Sequence, residues 1–204
     1  MTIRTESRDV FINCPFDEGY QSIFRALVFT IIRSGFRPRC ALEVDDATRN
    51  RLSVIMDIIE ECRFGVHDIS RTELDGDPAL PRFNMPLELG LFLGAKRYGS
   101  EAQAVKRCII LDVERYRFQR FISDIAGQDI HAHDGEATRC IEEVATWLRT
   151  QSRVRTVPGG RAIAAEFAVF ELALPALCAL WTLEPDEMTF GDLATLASEY
   201  VAST

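Results

Sequence analysis

Glu88 is the residue whose type and place ask for a chemical explanation. It stands in "RFNMPLELGLFLGAKRYG", residues 82–99, among Leu87, Leu89, Leu91, Phe92 and Leu93. Asn84 reads as the N-cap of a helix, and Pro86 suits the first turn, where its missing N–H is harmless. Glu88 then lies about one turn inside, on the face of Asn84 and near the positive end of the helix dipole. That field favours the ionised carboxylate, while apolar surroundings oppose it. A desolvated carboxylate that stays charged can act as a nucleophile or stabilise a sugar cation. A capping box would need the acid three residues after the cap, and the spacing here is four. Gly90 and Gly94 are expected to let this helix approach a sheet closely.

Three segments carry groups that could work with Glu88. Asn13-Cys14-Pro15-Phe16-Asp17 follows a first strand-like run, His67-Asp68 ends a third, and Asn84 opens the Glu88 helix. Open parallel sheets bind ligands at the carboxyl ends of strands, where the strand order reverses. A doubly wound topology brings all three segments to one crevice, lined by Asn13, Phe16 and Asp17. His67 reads as a hydrogen-bonding partner of Asp68, and Cys14, without a His or Asn partner, as structural. His131 and His133 share a strand face by the period of two, yet a zinc site needs further ligands, so no metal is expected. The chain has no G-x-x-x-x-G-K-[ST] and no G-x-G-x-x-G after a strand, which removes ordinary ATPase and dinucleotide-oxidoreductase readings.

The elements that must hold these groups alternate along the chain. "DVFIN", 9–13, is a first strand, and a helix spans Gly19 to Ser34 with Gly35 at its C-terminal position. "FRPRCALEV" is a second strand, kept at an edge by Pro38. Leu52, Ile55, Met56 and Ile59 mark the inner face of the next helix. "CRFGVHDI" is a third strand, followed by a polar connection from Ser70 to Phe83 that includes Asp75-Gly76 and two prolines. After the Glu88 helix come "VKRCIILDV" as a central strand, "ERYRFQRFISDI" as a helix, "QDIHAH" as a short fifth strand, and a helix over 136–150. This alternation predicts an α/β fold, a mostly parallel five-stranded sheet with helices on both faces. "PGG", 158–160, marks a boundary between an α/β domain, 1–155, and a C-terminal helical appendage, 156–204.

Composition narrows the function classes. The 204-residue chain is 47% hydrophobic and carries a formal charge of −8. That charge argues against general nucleic-acid binding, because phosphate neutralisation needs clustered Lys and Arg. A nucleotide can still be held by backbone N–H groups. The six cysteines are scattered, and MTIRTESRDV lacks an apolar signal region, so a cytoplasmic location is expected. Ala162 to Leu183 is apolar enough to raise a membrane span, but Glu166, Glu171 and Pro175 favour a buried helix, bent or broken at Pro175, with no membrane association.

A resemblance sharpens these readings over residues 9–150. "NMPLELG" is similar to the N-x-x-x-E-L-G helix start of nucleoside 2-deoxyribosyltransferase-like and bacterial TIR-like domains. "VFINCPFD" and "HDIS" fall where those domains place their first and third strands. The whole chain also resembles a bacterial group sharing "FINCPFD", "CRFGVHDISRTELD", "LPRFNMPLELGLFLGAKR" and "FISDIAGQDI". The resemblance implies a flavodoxin-like fold and a glutamate, Glu88, that attacks or stabilises C1′ of a nucleoside or NAD ribose. It also implies ribose or base contacts from Asp68 and Asn84. The first-strand loop, Asn-Cys-Pro-Phe-Asp, departs from the small Gly-Pro turn of the transferases. The expected activity is N-glycosidic cleavage of a nucleotide or NAD, needing no cofactor, with hydrolysis preferred to transfer because nothing marks an acceptor base. The alternative is a TIR-like module that senses a nucleotide without turnover and forms a homodimer through its C-terminal helices.

Overall fold

The computed structural model describes residues 7–72, 74–75 and 80–204, with backbone alone at 74, 75, 80 and 81. Gly76 and Pro78 of the long polar connection lie outside the described residues. β1 is Asp9–Asn13, buried from Val10 onward, as a strand covered on both faces must be. A 3-10 turn at Glu18–Tyr20 leads into α1, Gln21–Arg33. Gly35 ends that helix at φ +80°, with its N–H on the Ile32 carbonyl and the Phe36 N–H on that of Ile31. β2, Arg37–Cys40, follows. α2, Arg51–Glu61, is capped by Asn50, whose side chain accepts the Ser53 N–H at 3.1 Å.

β3 is Phe64–Asp68, and β4, Leu74–Asp75, pairs antiparallel with β5, Leu80–Pro81. α3, Asn84–Tyr98, and the short α4, Glu101–Ala104, lead to β6, Arg107–Asp112. β7, Ile130–Ala132, precedes α5, Ala137–Ser152. The chain closes with α6, Gly160–Leu180, and α7, Phe190–Ser203. The main sheet is five-stranded in the order β2-β1-β3-β6-β7, and every neighbouring pair is parallel. This is a flavodoxin-like α/β fold. The chain leaves β1 for β2 on one side and returns to β3 on the other, so the order reverses between β1 and β3. Asn13 stands opposite His67 there.

α2 and α3 cover one face through Ile55, Ile58, Ile59 and Phe92 against Phe11. α1 and α5 cover the other, and α6 and α7 lie outside them. Strand residues Ile12 and Val66 belong to the same apolar cluster as Phe170 of α6 and Leu193 of α7. The last two helices therefore complete one core with the α/β layers. Phe170 is fully enclosed and stacks on Phe29 of α1, ring centroids 5.0 Å apart.

Several expectations give way to packing. α2 turns Val54, Ile55, Ile58 and Ile59 inward and leaves Leu52 and Met56 over 40% exposed. Gly90 and Gly94 have nothing near the place of a Cβ, so they do not bring α3 close. The required glycine is Gly65 of β3, where a Cβ would meet Phe92 at 2.9 Å and His67 Nε2 at 2.7 Å. The expected helix after β6 is instead two 3-10 turns, Arg117–Arg120 and Ser123–Ile125. Tyr116, at φ +62°, breaks it at the start, and Arg117 is drawn back towards Asp112. α6 passes through Pro175 unbroken and is buried on one face only.

The shared core has a measurable consequence. Phe170→Ala should lower stability by about 3–5 kcal/mol, since the cavity adds to the lost transfer energy. Thermal unfolding followed by near- and far-UV circular dichroism should still show one coincident transition, shifted down by roughly 10 °C. Two separated transitions would mean the last helices fold on their own.

Candidate functional site at the carboxyl edge of the sheet

Helices of parallel α/β units run against their strands, so α1, α2 and α3 all begin at the carboxyl edge of the sheet. Two sets of polar groups meet there, one enclosed and one at the rim.

The enclosed set starts at Asn13 and His67, side by side across the β1–β3 reversal. Asn13 donates through Nδ2 to the Met85 carbonyl at 2.8 Å and lies 3.1 Å from His67 Nδ1. His67 Nδ1 is then an acceptor, and the ring proton resides on Nε2. The ring is wedged edge-on between Phe11 and Phe92. Burial, helped by the nearby Lys106 ammonium, pushes its pKa down to about 3. Lys106 is itself enclosed, bound to the Ile59 and Cys62 carbonyls, with its pKa lowered by burial to about 8.

Asp68 points to the opposite face from His67, so the expected pair does not form: consecutive strand residues alternate sides. Asp68 is fully buried. Tyr20 Oη donates to its Oδ2 at 2.5 Å, and the Ser70 N–H to its Oδ1 at 2.8 Å. His133 Nε2 lies 2.9 Å from Oδ2, off the line of a hydrogen bond. The Gly135 N–H donates to His133 Nδ1 at 3.0 Å, which leaves the ring proton on the nitrogen facing Asp68. Beside it, Asp112 is held by Arg117, with Nη2 2.6 Å from Oδ1. Its second oxygen is buried and has no partner among the described residues, and burial raises its pKa. Arg117 also ties in Thr72 and the Ile69 carbonyl.

The rim is more open. Phe16 is 37% exposed and meets Phe24 edge-on. Asp17 pairs with Arg71 at 3.0 Å. Asn84 is exposed and is the first residue of α3 rather than its cap: Phe83 holds that place without a side-chain bond. Met85 and Leu89 point inward, which leaves Glu88 half-buried between core and solvent. Among the described residues Glu88 makes no hydrogen bond or ion pair. Its pKa is pushed up to about 7 by desolvation, against the opposing pull of Arg51. The pull of Arg51 does not overcome the loss of water. Glu88 in turn acts on Cys14, just past β1, whose thiol burial drives well above its ordinary value. Cys14 is thus an inert thiol.

Of the expected site residues, Phe16, Asp17, Asn84 and Glu88 stand at the rim, while Asn13 and Asp68 are enclosed. Sequence reasoning missed Tyr20, Asp112 and Arg117, and weighed His133 only as a metal ligand beside His131; the roles of all four depend on long-range pairing. It also missed Arg51, in the first turn of α2, whose one signal was the Asn50 cap before it. Among the described residues no group of three or more His, Cys, Asp or Glu could hold a metal. His131 is spent on Glu143, 2.6 Å away.

The two titrations run in opposite directions. Glu88 has an ordinary value of 4.5 and a folded value of about 7, so the native state binds more protons between those limits. Stability therefore falls as pH rises through that window, and the charged carboxylate is a burden above it. After allowance for its partial exposure, Glu88→Gln should gain about 1–2 kcal/mol at pH 8 and nothing at pH 4. Urea midpoints at the two pH values measure this. For His67 the folded value lies below the unfolded 6.5, so its contribution is lost as pH falls from about 6.5 to 3.

By sequence, the chain matches no protein-family model and no curated protein.

Proposed function

We propose that the protein cleaves the N-glycosidic bond of a nucleotide, with NAD the best chemical fit, and that Glu88 acts at the anomeric carbon. The observation that carries this reading is a half-buried carboxylate with no partner among the described residues, beside the reversal point of a parallel sheet. A carboxylate kept out of water and left unpaired gains most when positive charge develops beside it. C1′ of a ribose losing its base develops such charge.

In the forward step the C1′–N bond breaks, and the base leaves with the bonding pair. Glu88 stabilises the oxocarbenium ion or closes on C1′ as an ester. Water then adds to C1′ and gives its proton to the carboxylate or to solvent. Nicotinamide leaves NAD as a neutral molecule and needs no acid, whereas an ordinary base needs a proton. Around Glu88 the described carboxylates are committed, Asp17 to Arg71 and Asp68 to Tyr20 and Ser70. That commitment favours NAD, and hydrolysis over transfer. Arg51 makes no ion pair among the described residues and suits a pyrophosphate oxygen. Exposed Phe16 and Asn84 suit the base and ribose. Likeness to deoxyribosyltransferase-like and TIR-like helix starts supports the same assignment.

A second reading draws on the enclosure of Asp68 and Asn13, which removes one expected sugar contact and one expected crevice-lining residue. It is a TIR-like domain that holds a nucleotide at the rim without turnover.

Purified protein incubated with NAD and with deoxynucleosides should release nicotinamide from NAD. Glu88→Gln should slow that release at least about 100-fold while remaining folded. In the native protein, turnover should fall as pH drops below about 7, because protonation removes the reactive carboxylate. Equal turnover by the two forms would refute the role of Glu88. Saturable NAD binding without product would establish the second reading in its place.

A further inference from the structure

The outward face of α6 is apolar from end to end. Its inner stripe, Ile163, Phe167, Phe170, Leu174 and Cys178, is buried. Every exposed position from Ala162 to Leu180 carries an apolar side chain, including Leu172 at 84% and Val169 at 55% exposure. α6 is also long and apolar enough to cross a membrane. It is nevertheless bound to α1 by charge, with Glu166 on Arg33 and Glu171 3.7 Å from Arg25. Insertion into lipid would strip both carboxylates of these partners.

We infer that this face pairs with the same face of a second copy, the two α6 helices running antiparallel about a two-fold axis. Ala162, Ala165, Val169, Leu172, Ala176 and Ala179 follow one another at spacings of 3, 4, 3, 4 and 3. That is the a/d seam of a heptad pattern, which packs helices at a shallow crossing angle. The seam is also a palindrome in size: small, small, large, large, small, small. An antiparallel partner sets Ala162 against Ala179, Ala165 against Ala176, and Val169 against Leu172. Each large residue meets a large one and each small a small one. A two-fold interface requires this self-complementarity.

Charge selects the same direction. Arg153 and Arg155, in the connection before α6, and Arg161, in its first turn, are exposed, as are Glu184, Asp186 and Glu187 just beyond its end. Arg161 reaches Glu142 only at 3.8 Å and remains 94% exposed. Antiparallel pairing brings the basic end of one copy to the acidic end of the other, and opposes the helix dipoles. Parallel pairing would stack like charges at both ends. The pairing stands independently of the role given to Glu88.

Sedimentation equilibrium of the full chain at tens of micromolar should give about twice the 23.0 kDa monomer mass. Leu172→Glu, at an exposed site, should keep the thermal midpoint of the monomer and weaken association at least about 100-fold. Under mild oxidation the double variant Ala165→Cys/Ala176→Cys should form a covalent dimer, and Ala165→Cys alone should not. A monomer at these concentrations would overturn the pairing, and so would flotation of the native chain with phosphatidylcholine vesicles. Crosslinking by Ala165→Cys alone would overturn the antiparallel direction.

Discussion

The fold depends on answering one buried charge. Asp68 closes β3 with no exposure to solvent, and a carboxylate left alone there would cost several kcal/mol. The answers come from separate parts of the chain. Tyr20 reaches in from the turn before α1, the Ser70 N–H from the residue two beyond, and His133 from just past β7. The Tyr20 and His133 contacts form only when β3 lies between β1 and β6 in the sheet, whereas the Ser70 bond is local. Asp68 therefore helps fix strand order, and is not free to serve as the ribose contact expected of it. Asp112 and Arg117 repeat the device one strand along, with Arg117 fastening the segment after β3 through Thr72 and the Ile69 carbonyl.

The other face of β3 does the positioning. His67 is kept neutral by burial, so it can serve Asn13 as an acceptor without adding a charge to the core. Asn13 spends its second N–H on the Met85 carbonyl, within the first turn of α3. That bond pins the helix start to the end of β1. Gly65 admits Phe92 against the strand, and Lys106 closes the C-terminal carbonyls of α2 beneath the same ring. Those fixed points hold the start of α3, and with it the backbone that carries Glu88.

The strands and their order of use were legible because continuous apolar runs ending in polar residues leave few alternatives. β1 came out at its expected bounds, and Pro38 marked an edge strand as its missing N–H requires. The Glu88 helix was legible too, but its cap was not: an Asn before a proline-containing turn suits either the cap or the first helical residue. The rotation of α2 was misread because Leu52 and Val54 are equally apolar, and only the packing against β1 and α3 decides which is covered. The enclosure of Asp68 was unreadable, since its partners lie 48 and 65 residues away in sequence. A strand-end Asp looks the same whether it faces a ligand or a tyrosine.

The contrast between Asp68 and Glu88 carries the functional argument further than either residue alone. Both are carboxylates at the carboxyl edge of one sheet, and both lie close enough to Cys14 to act on it. Asp68 is the more deeply buried, yet its oxygens are met by a phenol, a backbone N–H and an imidazole. Glu88 is less buried and is met by nothing among the described residues. A protein able to surround one carboxylate so fully does not lack the means to pair another, since Arg51 stands near enough to influence it. Leaving Glu88 unpaired costs stability above neutral pH, and among the described residues no feature of the packing repays that cost. Uncompensated strain of this kind concentrates at sites where a ligand completes the interaction. A cationic or incipiently cationic group is the ligand that would do so.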